Sequence, residues 1–429
     1  MINMNKIDDS DSQEQLNNFL IDETQLDISS YLKEFSVFGE TKLADVFVEN
    51  QKYPIFINEF WTSKQRQASS IQEISYRACF KPQLPNFFIK LLSKEDDLIY
   101  DPFGGRGTTI IESALLKRRG ISNDISPLSE ILAKPRLSIP KLDDIKKRLD
   151  EIPIDKNLKA EIDLSMFYHQ DTEAEIVSLK NYLHEKMESG KEDEIDQWIR
   201  MVATNRLTGH SSGFFSVYTL PPNQAVSRES QTKINIKRNQ IPKYRNTKKI
   251  IISKTEKLMS KLSHDDIRNL NEMGKKAIFL TKDARDTKEI DSESVQLTIT
   301  SPPFLDIVQY TKDNWLRCWF NSIDDKEISK KITILRSVDE WSKVMGGVFR
   351  ELFRITRKGG WVAFEVGEVR KGKIKLDEYV IPLGLNAGFR CEGVLINLQI
   401  FTKTSNIWGI NNNHFGTNTN RIVLFKKEV

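Results

Sequence analysis

The run best suited to chemistry is Thr300-Ser301-Pro302-Pro303-Phe304, which directly follows the strand-like segment Val295–Thr300. Two prolines there fix the backbone and remove two N–H donors. What remains is a set of acceptors, the carbonyls and the Ser301 hydroxyl, at the carboxyl end of a strand, where α/β folds bind ligands. Such acceptors suit an exocyclic amine, whose lone pair is delocalised into its ring. Hydrogen bonds from both amine protons to Ser301 and the Pro302 carbonyl favour a tetrahedral nitrogen able to attack a methyl sulfonium. Phe304 offers a flat face on which an extruded base can stack. The plainer reading is a Pro-Pro turn that leaves a strand and places Phe304 in a core.

A second candidate lies far upstream. Asp101-Pro102-Phe103-Gly104-Gly105-Arg106-Gly107-Thr108-Thr109 separates the strand-like Leu98-Ile99-Tyr100 from a helical run over Thr109–Lys117. Glycines let the chain turn sharply and approach a ligand closely, with helix N–H groups facing it. About 20 residues on, Asp124 ends the next strand-like segment, where a carboxylate can accept both ribose hydroxyls of an adenosine. No Lys followed by Ser or Thr closes the turn, so it is no P-loop, and its glycines do not form a dinucleotide fingerprint. A structural turn beside a surface aspartate would read the same way.

The elements around these runs place them. Residues 85–92 carry apolar positions at helical spacing, and strand, glycine turn, helix and strand then follow in order, the β-α-β unit of a parallel sheet. From about Pro140 to Met273 the alternation stops and the sequence is charged and mostly helical. It resumes at Ala277–Leu280, Val295–Thr300 and Trp361–Val366, with further strands expected over 393–402 and 421–425. The expected fold class is α/β, a Rossmann-like, mostly parallel central sheet interrupted by a mainly helical insertion. Its segments are a partly helical N-terminal arm over 1–69, a ligand-binding half over 70–139, the insertion over 140–274 and a catalytic half over 275–429.

Charge is informative only locally. The chain holds 64 basic and 60 acidic residues, a formal +4, too balanced to identify a nucleic-acid partner. Yet Arg228, Lys233, Lys237, Arg238, Lys243 and Arg245 cluster in the insertion with Asn and Gln between them, a pattern suited to phosphate contact and base-edge readout. A solvated helix face is the alternative. His210, in the turn-rich aromatic stretch just before, is a base contact or a structural histidine. Lys64 and Arg66, beside Trp61, are placed to clamp DNA, although packing explains the tryptophan equally well. Three isolated cysteines without a CxxC pair exclude a disulfide framework and a structural zinc site, and no metal set accompanies His210. No Pro-Cys pair supplies the nucleophile that methylation of a ring carbon requires. Neither a secretory signal nor a membrane span is visible, and a cytoplasmic location is expected.

Together these residues resemble the amino-methyltransferases of DNA, which modify N4 of cytosine or N6 of adenine. The family's cofactor motif is similar to Asp101–Thr108, and its catalytic motif, with Ser, Asn or Asp before Pro-Pro-aromatic, is similar to Ser301–Phe304. The resemblance implies S-adenosylmethionine as cofactor and double-stranded DNA as partner, with a cognate restriction endonuclease as a further one. It also implies that Phe80, Lys81 and Pro82 line the methionine end of the cofactor, with Asp101, Pro102, Phe103, Gly104, Gly105, Gly107 and Thr108 in the cofactor turn. By the same resemblance Asp124 binds the ribose and Asp283 lies near the adenine. Serine at the first catalytic position favours the cytosine-N4 branch. The adenine-N6 branch is the alternative, and a non-catalytic DNA-binding module that has kept the fold is the second. The resemblance covers roughly residues 70–130 and 275–429. It departs from the usual pattern in one respect, because the insertion precedes the third strand.

Overall fold

The computed structural model describes residues 20–22, 25–61, 68–77, 79–220, 224–303, 310–331, 337–369, 374–398 and 420–428. After a short antiparallel pairing of Leu20–Asp22 with Gln25–Leu26, the chain continues with helix α1 (Ile28–Glu34) and the strands β1 (Lys42–Val48) and β2 (Gln51–Asn58). Helix α2 (Gln83–Leu92) leads into β3 (Leu98–Asp101), α3 (Thr108–Leu115), β4 (Arg119–Asn123) and α4 (Leu128–Ala133). Six helices follow: α5 (Leu142–Glu151), α6 (Gln170–Glu188), α7 (Glu194–Arg206), α8 (Arg228–Arg238), α9 (Thr247–Met259) and α10 (His264–Gly274). The chain then returns through β5 (Ile278–Leu280), β6 (Val295–Thr300), α11 (Tyr310–Phe320), α12 (Asp325–Lys331) and α13 (Val338–Ile355). It ends with β7 (Thr356–Val366), α14 (Asp377–Ala387), β8 (Arg390–Asn397) and β9 (Asn420–Lys426).

The principal sheet has nine strands among the described residues, in the order β1-β2-β8-β9-β7-β6-β3-β4-β5. Strands β5, β4, β3, β6 and β7 are parallel to one another, whereas β9 runs antiparallel to both β7 and β8. Five parallel strands make up the centre of this α/β sheet, so the expected mostly parallel fold class holds. Strand β6 is buried along its whole length, as a central parallel strand covered on both faces must be.

Strands β1 and β2 lie in the stretch expected to be an arm. They form an antiparallel hairpin that extends the sheet, with β2 pairing in parallel with β8. The two residues joining them, Glu49 and Asn50, both have positive φ (49° and 65°), the backbone that matches the twist of a two-residue hairpin loop.

Two apolar layers flank the sheet. On one face α13 and α14 bury Trp341, Phe349 and Val380 against Phe364 and Phe425. The rings of Phe349 and Phe364 lie 4.8 Å apart, a contact worth about 1 kcal/mol beyond simple burial. On the other face α1 and α2 pack Leu32, Leu84 and Phe88 on Leu297, Ile299 and Leu424. Caps fix the helix starts. The Ser337 hydroxyl accepts the Glu340 N–H at the start of α13, and Ser263 with Asp266 forms a reciprocal capping box on α10.

The insertion has no separate core. Trp198, Ile199 and Val202 of α7, Ile251 of α9 and Leu270 of α10 share one cluster with Ile110, Ile111 and Ala114 of α3. Among the described residues no helix is long and apolar enough to cross a membrane.

Candidate active site

Strands β3 and β6 are parallel neighbours, with Ile99 opposite Leu297 and Tyr100 opposite Thr298. Both chemical motifs therefore leave the sheet side by side at its carboxyl edge. Asp101 ties them together. Its carboxylate accepts the Thr300 hydroxyl at 2.7 Å, the Thr109 hydroxyl at 2.7 Å and the Phe103 N–H at 3.1 Å. The side chain is 1 % exposed, and burial pushes its carboxyl up to about 6 against those three hydrogen bonds. Asp101 thus acts as an internal strut between the glycine turn and the catalytic strand.

The glycine turn is held open by geometry that side chains would spoil. Gly105 and Gly107 have φ of 52° and 79°, and a Cβ on Gly107 would collide with that of Ala133. Arg106 turns inward, donating to the carbonyls of Ile74 (2.8 Å) and Phe80 (3.4 Å). It thereby fastens Phe80-Lys81-Pro82 to the turn. Lys81 is half-buried there, and burial lowers its ammonium from the ordinary value. Sequence reasoning gave Arg106 no role; a cation set between the glycines of a tight turn was the signal.

Asp124 stands just past the end of β4. One carboxylate oxygen accepts the Gly105 N–H and the other the Ser126 N–H, both at 2.9 Å. Burial raises this carboxyl to about 6. A carboxylate offers about four acceptor positions, so about two remain for ribose hydroxyls. The neighbouring Asn123 amide donates to the carbonyls of Pro102 and Lys282, bringing the loop with Asp283 alongside the turn. Asp283 itself is paired with Arg285, which holds its carboxyl below the ordinary value. A glycine turn open at a helix start, with a carboxylate 8 % exposed beside it, fits an adenosine-type cofactor.

At the catalytic strand Ser301 is half-buried, Pro302 is buried and Pro303 is exposed; the Trp341 indole N–H donates to the Pro303 carbonyl at 3.1 Å. The Ser301 hydroxyl is hydrogen-bonded to Glu365, a residue the sequence reading placed on a strand without a role. Glu365 is 6 % exposed on β7, and burial pushes its carboxyl up to about 8, with Asp101 adding to the rise. Asp124, Asp101 and Glu365 form a line of buried carboxyls across the ends of β4, β3 and β7, each raising the next. Such a floor suits a cationic ligand.

The remaining candidates divide. Phe304, Lys64 and Arg66 lie outside the described residues. Arg228, Lys233, Lys237 and Arg238 sit on α8, where Gln231 is the buried residue, and Lys243 is exposed in the segment that follows. The Arg238 guanidinium stacks over the Tyr218 ring at 3.8 Å. Arg245 turns inward instead, donating to the carbonyls of Ser211 (2.8 Å) and Phe214 (2.7 Å), so it fastens the aromatic loop. His210 is exposed beside Phe214. This part of the insertion is anchored to α11, the helix after the catalytic turn, where the Trp315 indole donates to Val226 and the Asp313 carbonyl accepts from Ala225.

Comparison with known proteins bears on the glycine-turn half of the chain. Residues 6–133 match the N6/N4 methyltransferase family model, described as DNA methylase. The match ends where the insertion begins. The type II methyltransferase M.MjaII of Methanocaldococcus jannaschii is 35 % identical over 74 residues, 17 % of this chain and 14 % of that relative. This chain therefore aligns with only about a seventh of that relative's length. Among solved structures, a candidate DNA modification methylase of Thermus thermophilus is 21 % identical, covering 34 % of this chain and 51 % of its own at a TM-score of 0.21. A TehB-like SAM-dependent methyltransferase of Corynebacterium glutamicum is 7 % identical, covering 80 % of this chain and 87 % of its own at a TM-score of 0.29. It is the family match over residues 6–133, together with the resemblance carried by Asp101–Thr108 and Ser301–Phe304, that sets this chain beside the N6/N4 DNA methylases.

Proposed function

We propose that this protein is a DNA methyltransferase that uses S-adenosylmethionine to methylate the exocyclic N4 amine of cytosine by direct transfer to a flipped base. The observation that carries the reading is the Asp101 strut, which sets the glycine turn and Ser301 at the ends of adjacent strands. When bound, the cofactor supplies an electrophilic methyl on a sulfonium. The chain's own part is to hold and polarise. Asp124 and the Gly105 turn hold the ribose end, Phe80-Lys81-Pro82 the methionine end, and the loop of Asp283 the adenine. Ser301 and the Pro302 carbonyl accept from the two amine protons, and Phe304 stacks on the base. Proximity and this polarisation supply most of the acceleration.

Serine at position 301 favours cytosine over adenine. Arg228, Lys233, Lys237 and Lys243 contact the DNA backbone from the exposed face of the insertion. The protein works in the cytoplasm, and a restriction endonuclease of the same sequence specificity is its expected counterpart. The test is product identity. Incubation with methyl-labelled cofactor and mixed-sequence duplex DNA, followed by digestion to nucleosides, should yield N4-methylcytosine. Labelled N6-methyladenine would transfer the assignment to the other branch, and unlabelled DNA would overturn it.

A further inference from the structure

Methylation of an amine leaves a proton to be disposed of. One N–C bond forms, one S–C bond breaks with both electrons leaving on sulfur, and the nitrogen then carries a hydrogen too many. Ser301 touches the amine in the reading above but has no basicity of its own at neutral pH. The structure supplies a group behind it. Thr300 of β6 lies opposite Phe364 of β7, so Ser301 and Glu365 are the next residues along both strands. Side chains alternate along a strand. Phe364 and Val366 pack on the α13 face, so Glu365 shares the other face with Ala363 and Ile299. Ser301, two residues beyond Ile299, falls on that face too, and its hydroxyl is hydrogen-bonded to the Glu365 carboxyl.

Resting on the methyltransferase reading, we propose that Glu365 is the terminal proton acceptor of the reaction, acting through the Ser301 hydroxyl. In this relay the amine N–H proton passes to Ser301 Oγ as the hydroxyl proton passes to the Glu365 carboxylate. The serine ends unchanged and the glutamate neutral. An ionised Glu365 also draws the hydroxyl proton toward itself, which turns a serine lone pair to the amine. Glu365 is thus a positioning residue as well as a proton store.

The surroundings leave this carboxyl free for the task. On β9 the residue opposite is Ile422, and the adjacent Arg421 is paired with Asp377 of α14 at 2.9 Å. From β6 comes Ser301, and from β3 Asp101, whose charge raises the carboxyl further. No cation among the described residues offsets the Glu365 charge. A carboxyl so placed, raised to about 8, holds protons more tightly than an ordinary glutamate and is matched to an acceptor's role near neutral pH.

Two measurements test this. In the wild type, kcat/KM for methylation of duplex DNA should rise with pH through an ionisation near about 8 and level above it. Glu365→Gln should lower the plateau by about 100-fold and abolish that limb, with cofactor affinity kept within about twofold. Glu365→Asp should restore part of both. Independently of turnover, the infrared carbonyl band of a protonated carboxylic acid should disappear as the free wild-type protein is taken above about pH 8, and this change should be missing from Glu365→Gln. An unchanged pH limb in Glu365→Gln, an equal loss of cofactor binding, or no titrating acid near neutral pH would each overturn the proposal. A wild type that labels no DNA while showing the infrared titration would instead remove the methyltransferase reading, and the relay's purpose with it.

Discussion

The two ends of the site are built from the same material and finished differently. At the glycine-turn end, Asp101 and Asp124 are buried carboxyls whose oxygens are already occupied by hydroxyl and backbone donors, three for Asp101 and two for Asp124. At the catalytic end Glu365 is as deeply buried but has Ser301 as its hydrogen-bond partner. Desolvation raises all three carboxyls, and bound donors pull them back. The count of donors therefore sorts them, with Asp101 and Asp124 near 6 and Glu365 near 8. The carboxyls with backbone donors hold the turn in place, and the one without them rises furthest.

Substitutions can sharpen or break this contrast. The largest effect is expected from Asp101→Ala, which strands the Thr300 and Thr109 hydroxyls and the Phe103 N–H. Denaturant unfolding should show a loss of about 3 kcal/mol or more, because several buried donors lose their acceptor at once. A loss under about 1 kcal/mol would show that the strut is dispensable.

Next come the paired functional variants. Ser301→Ala should cut turnover by about 100-fold while leaving cofactor affinity nearly intact, and Asp124→Ala should weaken cofactor binding about tenfold with turnover at saturation less affected. Equal losses in both readouts for both variants would erase the distinction between the two ends.

The smallest effect is one of stability against pH. The Glu365 carboxyl is raised in the folded state from an ordinary 4.5 to about 8. Its favourable contribution is complete below about 4.5 and is lost as pH rises toward 8, since the unfolded chain ionises freely and the folded one does not. Glu365→Gln should therefore match the wild type near pH 4.5 and become the more thermostable protein as pH rises toward 8. Melting curves that stay parallel across that range would place the carboxyl in contact with water.

Much of this was legible before the coordinates. The β-α-β unit and the places of the glycine turn, Asp124 and Ser301–Pro303 at strand ends could be read because each depends on local spacing. Strand β6 was read with its observed limits because Val295, Leu297 and Ile299 alternate with Gln296, Thr298 and Thr300, the two-residue period of a strand. What escaped depends on distant partners. Residues 42–58 alternate only weakly, and their pairing with β8 joins segments far apart in sequence. Glu365 was passed over as one acid in the apolar run Trp361–Val366. A charge in a strand buried on both faces was itself the clue. Arg245 was grouped with the basic residues around it because charge alone does not show which way a guanidinium turns.

The shared core beneath α3 bears on how this protein could be re-engineered or reshuffled. Residues 140–274 look like a detachable cassette in sequence, yet Leu270 and Met273 rest on the same apolar bed as Ile110 and Ile111. A graft from another protein would uncover the helix that begins at the glycine turn. The outer residues of α8, by contrast, can be exchanged in place without disturbing that shared core.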